Sequence, residues 1–436
     1  MEDRGIMSLE TTKQFFVKRK KFKVVTLGCR TNQYESQAYI DQLKKEGYRE
    51  ATSGEKADVC IVNTCTVTES ADKRSRYQIR KMARDYDPKN LIVTGCLAQR
   101  AEKELKQIPG VTHTIGNTEK ERLLNLVYPE QDWPEFKIDH FDAHTRAFVK
   151  IQDGCNSYCS YCVIPFVRGR SRSKKVSTII EEIEGLVEKG FKEIVLTGIN
   201  IGDFDGNENP KIFLSDLVKK IDQVQGIKRL RLSSIDPDEV DDHLLDAIVN
   251  GKNTCQSMHI VLQSGSNTVL KRMRRKYTKQ DFLNTVSRLK KASPSFTFTT
   301  DVIFGFPGED EHEFHETLSL IQQVKFAKVH FFPYSDRPKT RASRMPGKIC
   351  PKVISERKQK LQKVADETAF RTRDEYVGKT VDVLLESQGK TNPKYLMGHT
   401  DNFLPVLVPK KGRRTNDLIS IVCKENTLEG LVAYGD

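Results

Sequence analysis

Apolar positions along this chain recur in two alternating registers, short β-branched runs and stretches spaced as one face of a helix. FKVVT, ADVCIVNT and NLIVTG are strand-like runs in the first third, and Glu35–Lys45 carries helical spacing closed by Gly47. Residues 132–143, broken by Trp133-Pro134, interrupt the pattern and read as a linker. The strand signals RAFVK, EIVLT, RLRLSS, MHIVLQ, FTFTTDVIF and VHFFPY then recur with helical stretches between them. Thr178 and Glu181 read as a capping box, followed by Ile179, Ile180, Ile183, Leu186 and Val187 on one face. Pro351 opens a charged helix running to about Tyr376. Beyond it, KTVDVLLE, FLPVLVP, DLISIVCKE and LEGLVAYG read as short strands between Gly, Asn and Lys turns.

These patterns predict an α/β protein in three parts. Strands alternating with helices imply a doubly wound parallel sheet over residues 21–131. Six further strands over 141–371 are too few for an eight-stranded barrel and fit a partial, open (βα)6 barrel. Residues 373–436 fit a small antiparallel β-barrel of the oligonucleotide-binding kind. Residues 1–20 are polar, run into Lys18-Arg19-Lys20-Lys21 and read as a disordered extension.

Composition narrows the setting. No apolar run is long enough to cross a bilayer, and the start shows no secretory h-region, so a cytoplasmic chain without membrane contact is expected. There the ten cysteines stay reduced and read as ligands or buried thiols. A formal net charge of +13 favours a polyanionic partner such as RNA, against the plainer reading of a merely basic enzyme. Two basic clusters stand out: Lys271, Arg272, Arg274, Arg275 and Lys276, and Arg168, Arg170, Arg172, Lys174 and Lys175. In the last segment Lys390, Lys394, Lys410, Lys411, Arg413 and Arg414 add charge, and Tyr395 and Phe403 are candidates for base stacking or for the core.

The chemistry lies in the cysteines. Cys155, Cys159 and Cys162 form C-x3-C-x2-C just after the first strand of the second segment, with no fourth ligand nearby. Iron–sulfur clusters normally take four thiolates, so three predict a cluster with one open iron; a structural zinc would want a closed set. Cys29, Cys65 and Cys96 each end a strand of the first segment, where strand termini converge on one crevice. They read as a second three-thiolate site, against unrelated buried thiols. Cys60 sits mid-strand and reads as core, and Cys255, Cys350 and Cys423 as structural. Tyr161 lies between two of the cysteines, where it packs either on a nucleoside or within the loop. Gly198, Asn200, Ser233, Ser234, Gln263 and Ser264 end barrel strands and are candidate ligand contacts, or helix caps.

Taken together, TLGCRTN, VNTC, VTGC, CSYCVIPFVRGRSRS, LTGINIGDF, RLSSIDP, VLQSGSNTVLKRMRRKYT, TDVIFGFPGE and FFPYSDRP resemble the radical S-adenosylmethionine methylthiotransferases over residues 21–436. The resemblance implies a [4Fe-4S] cluster on Cys155, Cys159 and Cys162 whose free iron chelates S-adenosylmethionine, and an auxiliary [4Fe-4S] cluster on Cys29, Cys65 and Cys96. It implies reductive cleavage to a 5′-deoxyadenosyl radical, hydrogen abstraction from an unactivated carbon and delivery of S–CH3, with a second S-adenosylmethionine supplying the methyl group. A flavodoxin- or ferredoxin-like reductant, a tRNA anticodon stem-loop and a C-terminal TRAM domain follow from the same resemblance. Cys29-Arg30-Thr31-Asn32-Gln33 is most similar to the branch acting on N6-threonylcarbamoyladenosine beside the anticodon. The alternatives are the branches acting on isopentenyladenosine or a ribosomal-protein aspartate, and a non-catalytic iron–sulfur RNA-binding protein. Lys339 and Val261 depart from the family pattern, which has Gly and Pro there.

Overall fold

The computed structural model describes residues 19–141, 145–389 and 392–434. The extension expected over 1–20 falls, up to residue 18, outside the described residues, as does Lys390. The first part alternates β1 (Lys21–Thr26), α1 (Arg30–Lys45), β2 (Arg49–Glu50), β3 (Val59–Thr64), α2 (Glu69–Tyr86), β4 (Asn90–Gly95), α3 (Cys96–Arg100) and β5 (His113–Ile115). Its strands pair in parallel in the order β2-β1-β3-β4-β5. The edge strands β2 and β5 hold two and three residues, too few to leave a pattern in the sequence. Helix α1 begins five residues before Glu35, because its first turns bury polar side chains, Thr31, Asn32 and Glu35, that apolar spacing does not register. The strand order reverses between β1 and β3, the place where such sheets open a crevice beyond the carboxyl ends.

The second part is a row of six parallel strands: β6 (Arg146–Lys150), β7 (Glu193–Thr197), β8 (Arg229–Leu232, resuming at Ser234–Ile235), β9 (Ser257–Ile260), β10 (Thr297–Phe304) and β11 (Lys328–Pro333). Among the described residues β6 and β11 do not pair, so the barrel is open. Helix α4 (Val176–Glu188) buries Ile179, Ile183 and Leu186 against Val149 and Ile194. The capping box expected of Thr178 and Glu181 does not form. Lys175 is already the N-cap, without a side-chain bond, and Thr178 lies inside the first turn. Thr278 with Asp281, and Asp310 with Glu313, do form such boxes.

Helix α5 (Pro351–Asp374) leads to β12 (Thr380–Gln388), β13 (Tyr395–Thr400), β14 (Pro405–Pro409), β15 (Leu418–Asn426) and β16 (Leu431–Ala433). They close a barrel in the order β12-β13-β14-β16-β15, antiparallel except for β14 with β16. β13 was not expected: its inward positions are Leu396, Gly398 and Thr400, only one of them strongly apolar.

This small barrel covers the amino-terminal ends of the large barrel's strands. Arg229 donates to the carbonyls of His399 (2.9 Å) and Asp382 (2.7 Å), and Arg146 pairs with Glu386 at 3.2 Å. Phe403 stacks on His399 at 4.7 Å and lies beneath the guanidinium groups of Arg146 and Arg231, at 5.4 and 5.0 Å. Its ring is therefore a joint between domains, not a free platform for a base. Tyr395 stays half-buried on the wall. With this side covered, the carboxyl ends of β6–β11 are left as the working face.

Candidate functional site

Both cysteine trios lie at carboxyl ends of parallel strands, one in each sheet. Cys29 is the N-cap of α1, Cys65 follows β3 and Cys96 opens α3. Two glycines let these segments close up. Gly28 (φ +98°) leads into Cys29, and a Cβ on it would sit 3.0 Å from the Cys65 sulfur. Gly95 (φ +91°) precedes Cys96, and a Cβ there would meet the Thr64 carbonyl at 2.5 Å. Either side chain would push strand ends apart. The three thiols act on one another's charge. Burial pushes the Cys65 thiol up to about 12, and burial likewise raises Cys96. Cys60 is fully buried inside β3, away from the crevice.

Cys155, Cys159 and Cys162 stand half-buried in the loop after β6. Burial, and then the neighbouring Cys159 charge, pushes Cys162 up to about 12. Cys155 accepts from the Ser157 amide at 3.4 Å, and Cys159 from the Arg275 guanidinium at 3.0 Å. Among the described residues, no three His, Cys, Asp or Glu side chains are drawn together as metal ligands. The donor sets nevertheless fit an iron–sulfur cluster: each is three soft sulfurs with at least one N–H donor directed at them, from Ser157 and Arg275 in the loop set and from Asn117 in the dispersed set.

Arg168 joins the two sites. It is 2% exposed, lies in the segment after Cys162, and is close enough to Cys96 for its charge to act on that thiol. Its guanidinium donates to Asn32 (2.5 Å), Glu35 (3.0 Å) and Asp153 (2.8 Å). Lys120 bridges the same carboxylates at 2.5 and 2.6 Å. Burial opposes the charge on Glu35, but Arg168, Lys120 and Lys150 outweigh it and hold its carboxyl at about 2. Asn117 completes the link, donating to the Cys96 sulfur at 3.7 Å and to the Val167 carbonyl at 2.8 Å. Arg337, from the FFPYSDRP segment, clamps the first part from the other side through Asp72 at 2.9 Å.

The candidate ligand residues fall into two groups. Buried Ser233 Oγ and Gln263 Oε1 have no hydrogen-bond partner among the described residues, and Gln263 is held at φ +62°. They are free to meet a ligand. Ser264 is fully buried against Thr317 Oγ1 (3.4 Å), and Asn200 Nδ2 is spent on Glu239 at 2.7 Å. Glu239 itself is raised to about 7, first by burial and then by Asp236. Ser234 is exposed at the resumption of β8, and Gly198 approaches Gln152 closely. Tyr161 packs edge-on against Phe306 at 6.3 Å. Lys339 adopts φ +68°, the conformation glycine would take more cheaply.

Sequence reasoning missed Gln152, whose amide accepts from the Ile199 and Asn200 N–H groups at 2.9 Å and donates to the Gly154 carbonyl at 2.7 Å. It fixes the cysteine loop to the end of β7. A polar residue at the end of an apolar strand and three positions before Cys155 was the available signal. The basic clusters were read as charge for a polyanion, yet Arg275 turns inward onto the Cys159 sulfur, Arg168 onto Glu35 and Asp153, and Arg272 onto Glu313. The exposed remainder includes Lys271, Arg274 and Lys276.

Comparison with known proteins accords with this arrangement. Residues 21–116 match Uncharacterized protein family UPF0004, and residues 149–321 match the Radical SAM superfamily. The chain is 43% identical over 414 residues to the threonylcarbamoyladenosine tRNA methylthiotransferase MtaB of Chlamydia pneumoniae, covering 94% of this chain and 97% of that protein. The chain belongs to the radical S-adenosylmethionine methylthiotransferase family. A second methylthiotransferase of the same name, from Bacillus subtilis, is 38% identical over 430 residues, 94% of each chain. The tRNA-2-methylthio-N(6)-dimethylallyladenosine synthase of Clostridium novyi is 34% identical over 401 residues, 87% of this chain and 89% of its own. In fold, the methylthiotransferase is similar to the radical S-adenosylmethionine methyltransferase TsrM of Kitasatospora setae, with a TM-score of 0.56 at 14% identity over 74% of this chain and 77% of that one. No helix among the described residues is long and apolar enough to cross a membrane.

Proposed function

We propose that this chain converts N6-threonylcarbamoyladenosine beside the anticodon of tRNA to its 2-methylthio derivative. One observation carries the reading: two three-thiol sites at the carboxyl ends of separate parallel sheets are joined by the buried Arg168, which pairs with Glu35 on α1 and with Asp153 beside the cysteine loop. A single cluster would need one. The relatives' printed names supply the substrate.

Cys155, Cys159 and Cys162 would hold the [4Fe-4S] cluster for S-adenosylmethionine, and Cys29, Cys65 and Cys96 would hold an auxiliary one. Such clusters, when bound, would supply one-electron chemistry and an iron with an open coordination position, which no side chain provides. The chain's own residues position and insulate. Arg275 and the Ser157 amide neutralise the loop sulfurs, and Gln152 fixes that loop to the barrel. Asn117 donates to the Cys96 sulfur, and the Arg168 charge lies close to it. Ser233 and Gln263 are the strand-end groups with unused hydrogen-bonding capacity for S-adenosylmethionine. Tyr161, Gly198, Asn200, Ser234 and Ser264 shape the surrounding wall. The rim of the small barrel, with Lys394, Lys410 and Arg414 exposed, contacts the RNA backbone. A flavodoxin- or ferredoxin-like protein is the electron donor, and the setting is the cytoplasm. Residues 21–131, 141–371 and 373–436 are the three working domains, the last of TRAM type.

Likeness to the Clostridium novyi synthase keeps the isopentenyladenosine substrate as the second reading. Nucleoside mass spectrometry of tRNA from cells with and without this chain separates them. Loss of 2-methylthio-N6-threonylcarbamoyladenosine on deletion is the expected result; an unchanged level rejects the proposal.

A further inference from the structure

The side chain directly after Cys29 leaves the first domain and enters the large barrel. Arg30 lies with its guanidinium 5.4 Å from the centre of the Phe148 ring on β6. The charges acting on it belong to the barrel strands: Arg146, Arg231, Glu193 and Asp301. Among the described residues it has neither a hydrogen bond nor an ion pair. The nearby carboxylates are taken. Glu193 pairs with Arg231 at 2.7 Å, and Asp301 lies 3.5 Å from His259. The imidazole of His330 stands 6.0 Å from that of His259. This interior is charged and polar, with a cation left unpaired.

We infer that Arg30 is the specificity residue for the target nucleoside, binding the carboxylate of its N6 side chain inside the barrel. The inference rests on the threonylcarbamoyladenosine reading and deepens it. In adenine, C2 and C6 flank the same ring nitrogen, so a tail on N6 starts beside the carbon that receives sulfur. Arg30 adjoins a ligand of the auxiliary site, so its side chain starts one residue from where sulfur is held. A carboxylate-bearing tail entering between the two sites reaches this cation, and a guanidinium takes a carboxylate in a two-pronged hydrogen bond. An aliphatic tail in the same place would cover the unpaired Arg30 guanidinium and offer its charge no partner, which is unfavourable. Sequence alone could not show this, because a lysine or arginine after a cysteine is ordinarily a solvated charge.

The test uses the full chain, reconstituted without oxygen, and two anticodon stem-loop RNAs. One carries N6-threonylcarbamoyladenosine and the other its methyl ester, which has lost only the negative charge. Competition binding is expected to favour the acid by roughly 30-fold or more, the cost of leaving one buried charge partner unmatched. Arg30→Met should bring that ratio to within about threefold, and Arg30→Lys should keep part of it. Equal binding of acid and ester by the unaltered chain overturns the inference without reference to any variant's folding. A preference that survives Arg30→Met overturns it too, by placing the carboxylate on another group. Methylthiolation of an isopentenyladenosine stem-loop, with none on the threonylcarbamoyl one, would instead reject the substrate reading and this inference with it.

Discussion

Cys155, Cys159 and Cys162 fall within one loop of eight residues, whereas Cys29, Cys65 and Cys96 come from three strand ends of a five-stranded sheet. The loop trio needs little more than local chain geometry and a tether, which Gln152 and Arg275 provide. The dispersed trio needs the whole sheet: the parallel order β1-β3-β4, and two glycines that let the strand ends approach. Their surroundings differ accordingly. The loop trio is half-buried throughout, while the dispersed trio runs from exposed Cys29 to Cys65 and Cys96, buried beside a network of ionised groups. A site meant to receive a small cofactor has to stay open. A site built from distant strands is only as stable as the contacts that hold the domains together.

Removing the sulfurs breaks the comparison most completely. Replacing Cys29, Cys65 and Cys96 by Ala should lower iron content from about eight to about four per chain. S-adenosylmethionine cleavage should persist while methylthio transfer is lost. Replacing Cys155, Cys159 and Cys162 should lower iron equally but abolish both activities. Next in size is Arg168→Met, which leaves Glu35 and Asp153 short of a buried counter-charge and should cost about 3–5 kcal/mol in urea unfolding. If that variant unfolds like the parent chain, Arg168 is not what holds the two sites together.

The two regions should also respond oppositely to pH. Glu35, held at about 2, contributes stability above its unfolded range near 4.5 that is lost as pH falls toward 2. Glu239, raised to about 7, contributes stability below about 4.5 that is lost as pH rises through 7. Glu239→Gln should flatten the decline between pH 5 and 8, on the order of 3 kcal/mol, and leave the acid limb unchanged. An unaltered slope would show that Glu239 ionises normally. The smallest effect is expected far from both sites. Phe403→Ala removes the His399 stack and two cation–ring contacts, and should cost about 1–2 kcal/mol with iron content unchanged.

By itself the sequence determined what local spacing and composition can determine. The C-x3-C-x2-C loop, three strand-terminal cysteines, six barrel strands and a charged helix before a β-rich end are all written in short stretches of chain. Strand periodicity and thiol counting depend only on neighbours along the backbone. The tertiary structure decided what distant residues do to one another. It turned Arg168 from a member of a basic cluster into the buried partner of Glu35 and Asp153, Arg275 into a partner of the Cys159 sulfur, and Phe403 from a candidate stacking ring into a joint. It added β13, whose inward Gly398 and Thr400 are acceptable only once a closed barrel surrounds them. It also carried Arg30 into the large barrel. Charge and polarity acquire meaning from what lies across space, and no spacing rule along one chain records that.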